Sequence, residues 1–321
     1  MARQSDGDTT RLDDAARAGW LYYVAGNTQD EIARKLGISR QSAQRLVSLA
    51  VSERLIKVRL DHPIARCMEL AAGLSDRYGL ALCEVAPSDP TSPSITIGVA
   101  EAAAAEMERW LRRSEPTVMA VGTGRTLRAV ADQLTAMECP QHRIVALVGN
   151  TKADGSATFY DAVVRISDRV KAPYYPMPLP VVARNHEERD LFSVQSSVEN
   201  LRALASRADI RFVGVGLIGG PEAALLVDGF ITEEENAELR AAGAVGEITG
   251  WAFDGDGRLI EGLTNDRVTS LPLAPSSGAP MVAVGMGRAR RTALLAALRG
   301  RLVSGLITDE VTAEHLLKSR A

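Results

Sequence analysis

Long apolar stretches are missing from this 321-residue chain: none reaches the roughly 18 residues that a membrane-spanning helix needs. No secretory signal opens it either, and the first ten residues, MARQSDGDTT, are polar and expected to lack fixed structure. Cysteine is scarce. The three present, Cys67, Cys83 and Cys139, are odd in number and lack metal-ligand spacing, so they read as buried thiols in a reducing cytoplasm. Histidine is scarce too, and His62, His142, His186 and His315 are scattered, which removes a histidine-based metal site or catalytic triad. There is no Gly-x-Ser-x-Gly elbow, no cysteine paired with a nearby histidine and no internal repeat. With 46% hydrophobic and 24% charged residues, the expectation is a soluble cytoplasmic protein of two domains, without catalytic residues, metal or cofactor.

What is present is most legible at the front, where residues 28–47 read TQDEIARKLGISRQSAQRLV. Thr28 followed three residues later by Glu31 is the spacing of a capping box. Ile32, Ala33 and Leu36 give a first helix its apolar face, Gly37 ends it, and Ile38 fills a turn. Ser39 then caps a second helix with Ala43, Leu46 and Val47 inward. Arg40, Gln41, Gln44 and Arg45 face outward, side chains that make bidentate contacts to guanine and adenine edges or to phosphates, with Ser39 and Ser42 placed for phosphates. The pattern predicts a helix-turn-helix and double-stranded DNA as partner. Upstream, DDAARAGWLYYV predicts a helix with Ala16, Trp20 and Tyr23 on one face, completing a three-helix core. Downstream, Ile56, Val58 and Leu60 alternate as in a short strand or wing, with Lys57 and Arg59 outward. His62-Pro63 punctuates the chain, giving a head of residues 1–62 and a body of residues 63–321. Residues 1–60 carry 10 Lys or Arg against 7 Asp or Glu, and the remainder 27 against 33. A basic head on an acidic body suits phosphate contact by the head alone.

The body opens on a helical stretch, Ala65–Tyr78, readable as a linker, a dimer contact or the first helix of the domain. Beyond it, Leu82–Ala86, Thr117–Val121, Ile144–Val148, Ile210–Val215 and Met281–Val284 are short β-rich runs. Each of the later ones is followed by a glycine-bearing loop and an amphipathic segment. The alternation predicts an α/β domain with a largely parallel sheet, in which ligands sit at the carboxyl ends of the strands. The loop VGTGRTL (121–127) leads from a strand through a glycine-spaced turn directly into a helix. Backbone N–H groups of such a turn, added to the helix N-terminus, suit an anion, with hydroxyls from Thr123 and Thr126 and charge from Arg125. A turn needing glycine for geometry alone would look the same. It is neither a Walker loop nor a Rossmann fingerprint. Further candidates are the loop GVGLIGG (214–220), Asp228-Gly229-Phe230, and GMGRARR (285–291). The three arginines of the last open a helix, which is unfavourable without an anion nearby unless they form a solvated basic face.

Taken together, LYYVAGNTQDEIARKLGISRQSAQRLV, VGTGRTL, ADIRFVGVG, AVGEITGWAFDGDGRLI and ALLAALRGRLVSGLITDEVTAEHLL resemble the SorC family of bacterial sugar-operon regulators, also called the deoxyribonucleoside-regulator type. The resemblance implies a winged helix-turn-helix head and an α/β effector domain similar to ribose-5-phosphate isomerase and glucosamine-6-phosphate deaminase, working as a sensor. It implies that Gly122, Thr123, Gly124, Arg125 and Thr126 hold an effector's phosphate, that Gly149 lines the same cleft, and that Glu247 accepts hydrogen bonds from sugar hydroxyls, with Asp228 beside them. The family's usual Gly-Gly-x-x-Lys is replaced here by GMGRAR, so that Arg290 falls at the lysine position; an unphosphorylated polyol therefore stays open beside a phosphorylated sugar or polyol. Operator DNA, a sugar or polyol effector and further copies of the chain are the implied partners, as a dimer or, as the resemblance favours, a tetramer. The alternative is a sugar-phosphate isomerase or deaminase with an appended DNA head, using Asp228 and Glu247.

Overall fold

The computed structural model describes residues 3–53, 55–56, 62, 64–88, 96–152, 155–158, 161–273 and 278–319, with side chains from residue 10 onward. The chain divides into two compact units, Met1–His62 and Pro63–Ala321. Among the described residues no helix is long and apolar enough to cross a membrane.

The head consists of α1 (Arg3–Tyr23), α2 (Gln29–Leu36) and α3 (Arg40–Ser52). α1 starts ten residues before the expected Asp13 and takes in most of the polar stretch expected to lack fixed structure; no proline interrupts it. Its inward face also differs from the expected one. Ala15, Ala18 and Gly19 are buried, while Trp20 and Tyr23 are exposed. The reason is close approach: a Cβ on Gly19 would lie 2.7 Å from that of Ala50 on α3, so small residues rather than aromatics face this contact. Ile32, Ala33, Ala43 and Val47 complete the core, with Leu36, Ile38 and Leu46 packed on it. The capping box is made in full: Thr28 Oγ1 accepts from the Glu31 amide at 3.3 Å, and the Thr28 amide donates to Glu31 Oε2 at 2.8 Å. Those bonds hold the Glu31 carboxyl below its ordinary range. Gly37 ends α2 at φ 67°, a left-handed conformation that glycine adopts without penalty. Replacing Thr28 by alanine should cost the head about 1 kcal/mol, so the α2 amides should exchange with deuterium several-fold faster. Unchanged exchange would show the cap to be idle. The expected strand or wing at residues 56–60, with Lys57 and Arg59, lies outside the described residues except for Ile56.

The body runs α4 (Ala65–Tyr78), β1 (Leu82–Ala86), α5 (Ile97–Leu111), β2 (Val118–Val121), α6 (Arg125–Gln133), β3 (Arg143–Ala146), α7 (Ala162–Val170) and β4 (Tyr174–Tyr175). It continues through α8 (His186–Ser193), α9 (Ser196–Ser206), β5 (Ile210–Gly214), β6 (Gly216–Leu217), α10 (Ala224–Val227), α11 (Glu233–Ala241), β7 (Ala244–Ile248) and β8 (Trp251–Asp254). β9 (Met281–Val284), α12 (Arg291–Arg299), β10 (Gly305–Asp309) and α13 (Glu310–Lys318) close it. Seven strands form one parallel sheet in the order β1-β10-β9-β5-β2-β3-β4, and β6-β7-β8 form a small antiparallel sheet. This is a mixed α/β fold with a mainly parallel sheet. Central strands such as β2 and β9 are almost continuously apolar because helices cover both faces of a parallel sheet. β10 and β4 were not among the expected strands. β10 ends in Thr-Asp at a helix cap, and β4 is two residues long, too short for any periodicity.

The topology places the ligand region. From β2 the chain proceeds outward to β3 and β4, then returns to lay β5 on the other side of β2. The loops leaving β2 and β5 therefore part at their carboxyl ends, the switch point at which open α/β sheets hold ligands. The small sheet, with α10 and α11, has its own cluster of Val148, Val181, Ile218, Leu225 and Leu239 beside this point. His142 is a core residue: its Nδ1 accepts from the Thr117 amide at 3.0 Å, so Nε2 carries the proton toward Leu111 O at 2.9 Å. Cys67 and Cys139 are buried and Cys83 half-buried. Burial pushes the Cys67 thiol up to about 11 and the Cys83 thiol up to about 12, which keeps both protonated and unreactive at neutral pH.

Candidate functional site

A cleft opens at the carboxyl ends of β2 and β5, with about 740 Å³ of space in it and at its mouth, open solvent included. Gly122, Thr123, Gly124, Arg125 and Thr126 form one wall, where β2 turns into α6. Gly124, at φ 117°, has a backbone that a side chain would strain, and it supplies no side-chain cap to α6. Gly214 at the end of β5 and Gly216 of β6 line the cleft, Asp228 follows α10, and Glu247, Thr249 and Gly250 come from the β7–β8 hairpin. Arg290, before α12, closes the list of charged groups together with Glu222.

Glu247 is held by its neighbours. It pairs with Gly216 across β6 and β7, and a Cβ on Gly216 would lie 1.9 Å from Glu247 Oε1. The absent side chain at 216 is what makes room for the carboxyl, so this glycine serves a neighbour rather than an anion. Glu247 Oε2 accepts from the Gly250 amide at 2.9 Å. Burial outweighs that bond, and with the nearby Asp228 charge it raises the Glu247 carboxyl to about 7. The hairpin turn is Thr249-Gly250 with φ of 51° and 94°, the two left-handed residues of a type I′ turn. A β-branched residue is strained there. Here it brings Thr249 to the cleft wall, its carbonyl accepting from Ser270 Oγ at 2.7 Å.

Two ion pairs line the cleft. Arg125 Nη2 donates to Asp228 Oδ1 at 3.1 Å. Burial pushes the Asp228 carboxyl up, and Arg125 and Lys152 act against it. Arg290 Nη2 stands 3.7 Å from Glu222 Oε2, close enough for charge pairing and too long for a hydrogen bond.

Eight of the nine expected effector residues line this one cleft: Gly122, Thr123, Gly124, Arg125, Thr126, Asp228, Glu247 and Arg290. Gly149 does not, and this corrects the sequence expectation. It is buried against the 179–180 backbone, where a Cβ would lie 2.2 Å from Leu179 O and 2.8 Å from Pro180 O. Its neighbour Val148 reaches the cleft instead. Of the three arginines in GMGRARR, only Arg290 lines it. Glu222 and Thr249 were missed: a glutamate in a Gly-Gly-Pro-Glu loop and a threonine in a turn carry no spacing signal.

On the head, Arg40, Gln41, Gln44 and Arg45 are exposed on α3. Arg40 Nε lies 3.6 Å from Asp30 Oδ1, both well solvated. Ser39 Oγ caps α3 by accepting from the Ser42 amide at 3.1 Å and lies 2.9 Å from Ser42 Oγ. These hydroxyls thus meet each other, which turns the expected phosphate contacts of Ser39 and Ser42 into a helix cap first.

Residues 62–318 match a family model described as "Putative sugar-binding domain". The chain is 32% identical over 303 residues to the erythritol catabolism regulatory protein EryD of Brucella abortus (strain 2308), covering 94% of this chain and 96% of that protein. It is 30% identical over 314 residues to the transcriptional regulator LsrR of Klebsiella pneumoniae subsp. pneumoniae, covering 94% and 92%. The crystal structure of the full-length sorbitol operon regulator SorC from Klebsiella pneumoniae matches with a TM-score of 0.69 at 22% identity, over 96% of this chain and 99% of that one, a likeness of fold. The chain belongs to the SorC family of sugar-binding transcriptional regulators.

Proposed function

We propose that this chain regulates transcription of a sugar or polyol catabolic operon, reading operator DNA through α3 and sensing a sugar or polyol in the cleft. The observation that carries this is the convergence of Gly122–Thr126, Asp228, Glu247 and Arg290, from four separate segments, on one cavity at the switch point of the sheet. Carboxylates that accept from hydroxyls, beside a glycine turn and guanidinium groups that donate, suit a polyhydroxy compound with or without a phosphate. The body is proposed to share its layout with sugar-phosphate isomerases while working as a sensor. The relative named for erythritol catabolism supports a polyol operon.

The head is proposed to act as a winged helix-turn-helix. A lone recognition helix reads few base pairs, so a dimer or tetramer presenting paired heads to two half-sites is expected. Effector binding then biases how those heads are presented, a coupling between two ligands through one assembly. Mobility shift of the promoter fragment of its own operon, with and without candidate sugars, polyols and their phosphates, tests the reading. A shift altered by one of them supports it, and no shift with any operator fragment overturns it. Within α3, Gln44→Ala should cost about 1–3 kcal/mol of binding at one base position and leave other positions unaffected, measured on operators mutated one base pair at a time. A uniform loss across all operators would assign Gln44 to the backbone instead.

A further inference from the structure

Among the described residues, the charges lining the cleft are Arg125 and Arg290 against Asp228, Glu222 and Glu247, with Lys152 acting on Asp228 from nearby. Each guanidinium already faces a carboxylate: Arg125 on Asp228 at 3.1 Å, Arg290 on Glu222 at 3.7 Å. The cleft therefore offers no net positive charge to an incoming anion. Resting on the reading above, we propose that the effector is an uncharged polyol or sugar rather than its phosphate ester, and that Glu222 sets this preference.

The geometry of the Arg290–Glu222 pair is the reason. At 3.7 Å the two groups neutralise each other without making a hydrogen bond, and both remain partly solvated, at 29% and 59% exposure. A hydroxyl is donor and acceptor at once, so it can accept from Arg290 and donate to Glu222 with both charges kept in place. A phosphate dianion only accepts. To reach Arg290 it must displace Glu222 or stand against it, and the Asp228 and Glu247 carboxyls line the same cleft. The glycine turn at 122–126 can donate to either ligand and bonds a charged phosphoryl oxygen more strongly than a hydroxyl, so rejection of the phosphate falls to the carboxylates. The discriminating element is thus repulsive: a carboxylate that rejects the charged competitor.

Titration calorimetry on the full chain, with erythritol, ribitol and sorbitol beside erythritol 4-phosphate, ribitol 5-phosphate, sorbitol 6-phosphate and inorganic phosphate, tests this. At least one free polyol should bind on the order of tenfold tighter than its own monophosphate, with inorganic phosphate failing to compete. E222Q keeps an acceptor oxygen and removes the charge, so it should narrow that ratio on the order of tenfold. Monophosphates binding tighter than their parents, with E222Q leaving the ratio unmoved, would overturn this inference and leave the proposed regulator intact. Absence of binding by every compound would overturn this inference as well, while the mobility shift decides the regulator separately.

Discussion

Relative to a chain with glutamine at position 247, the unsubstituted chain should lose about 2–3 kcal/mol of stability between pH 5 and 8. The carboxyl of Glu247 moves from an ordinary 4.5 to about 7 because it is buried over Gly216. The folded chain therefore holds this proton more tightly than the unfolded chain. That stabilisation is fully present below pH 4.5 and is lost as pH rises through about 7, where a charge must exist in a dry site beside Asp228. Glutamine removes the charge and keeps an oxygen for the Gly250 amide. Asp228, also pushed up by burial, stays in both proteins, so the difference between their pH profiles reports Glu247. Urea midpoints at pH 5, 6, 7 and 8 provide the measurement; parallel profiles would show that the carboxyl ionises without cost.

Alanine at position 149 should destabilise the body by about 3 kcal/mol or more, an overpacking cost at the high end of its usual range. The added methyl would lie 2.2 Å from Leu179 O and 2.8 Å from Pro180 O, and both are backbone atoms. A flexible side chain could swing away, but this segment is tied in, since the Thr151 amide donates to Leu179 O at 3.2 Å. The segment after β3 and the 179–180 segment would have to separate, carrying Val148 and Val181 of the cleft wall with them. An urea midpoint equal to that of the unsubstituted chain would disprove the close approach.

Gly149 also shows where sequence reading stops. A glycine after a strand reads alike whether it faces a ligand or a neighbouring backbone, and only the tertiary fold brings residues 179–180 to it. Local signals were legible. The Thr28–Glu31 box, the Gly37 stop and the outward face of α3 depend on neighbours within four residues, and all are found where expected. In α1 the usual rule misled, because large apolar residues at helical spacing suggested the core while alanine and glycine made the close contact. Most of the parallel sheet was legible from apolar runs between glycine loops, whereas β4 and β6, of two residues each, carry no pattern. In the cleft, the 122–126 turn announced itself by spacing. Asp228 and Arg290 stood in candidate glycine-bearing segments, but they and Glu247 took their roles from the family resemblance, and Glu222 came from neither, because its meaning arises only opposite Arg290.

Among the described residues no packed cluster straddles the boundary between the units: one closes on Ala18, Ile32, Ala33, Ala43 and Val47, and the other two lie wholly beyond residue 63. A crossover in the gene near the codons for His62 and Pro63 would therefore leave every packed cluster whole. Such a chain is a cassette pair in the evolutionary sense. On the proposed function, descendants can trade heads to acquire a new regulon, or drift at Glu222 and Arg290 to follow a new nutrient, without cutting any of these clusters.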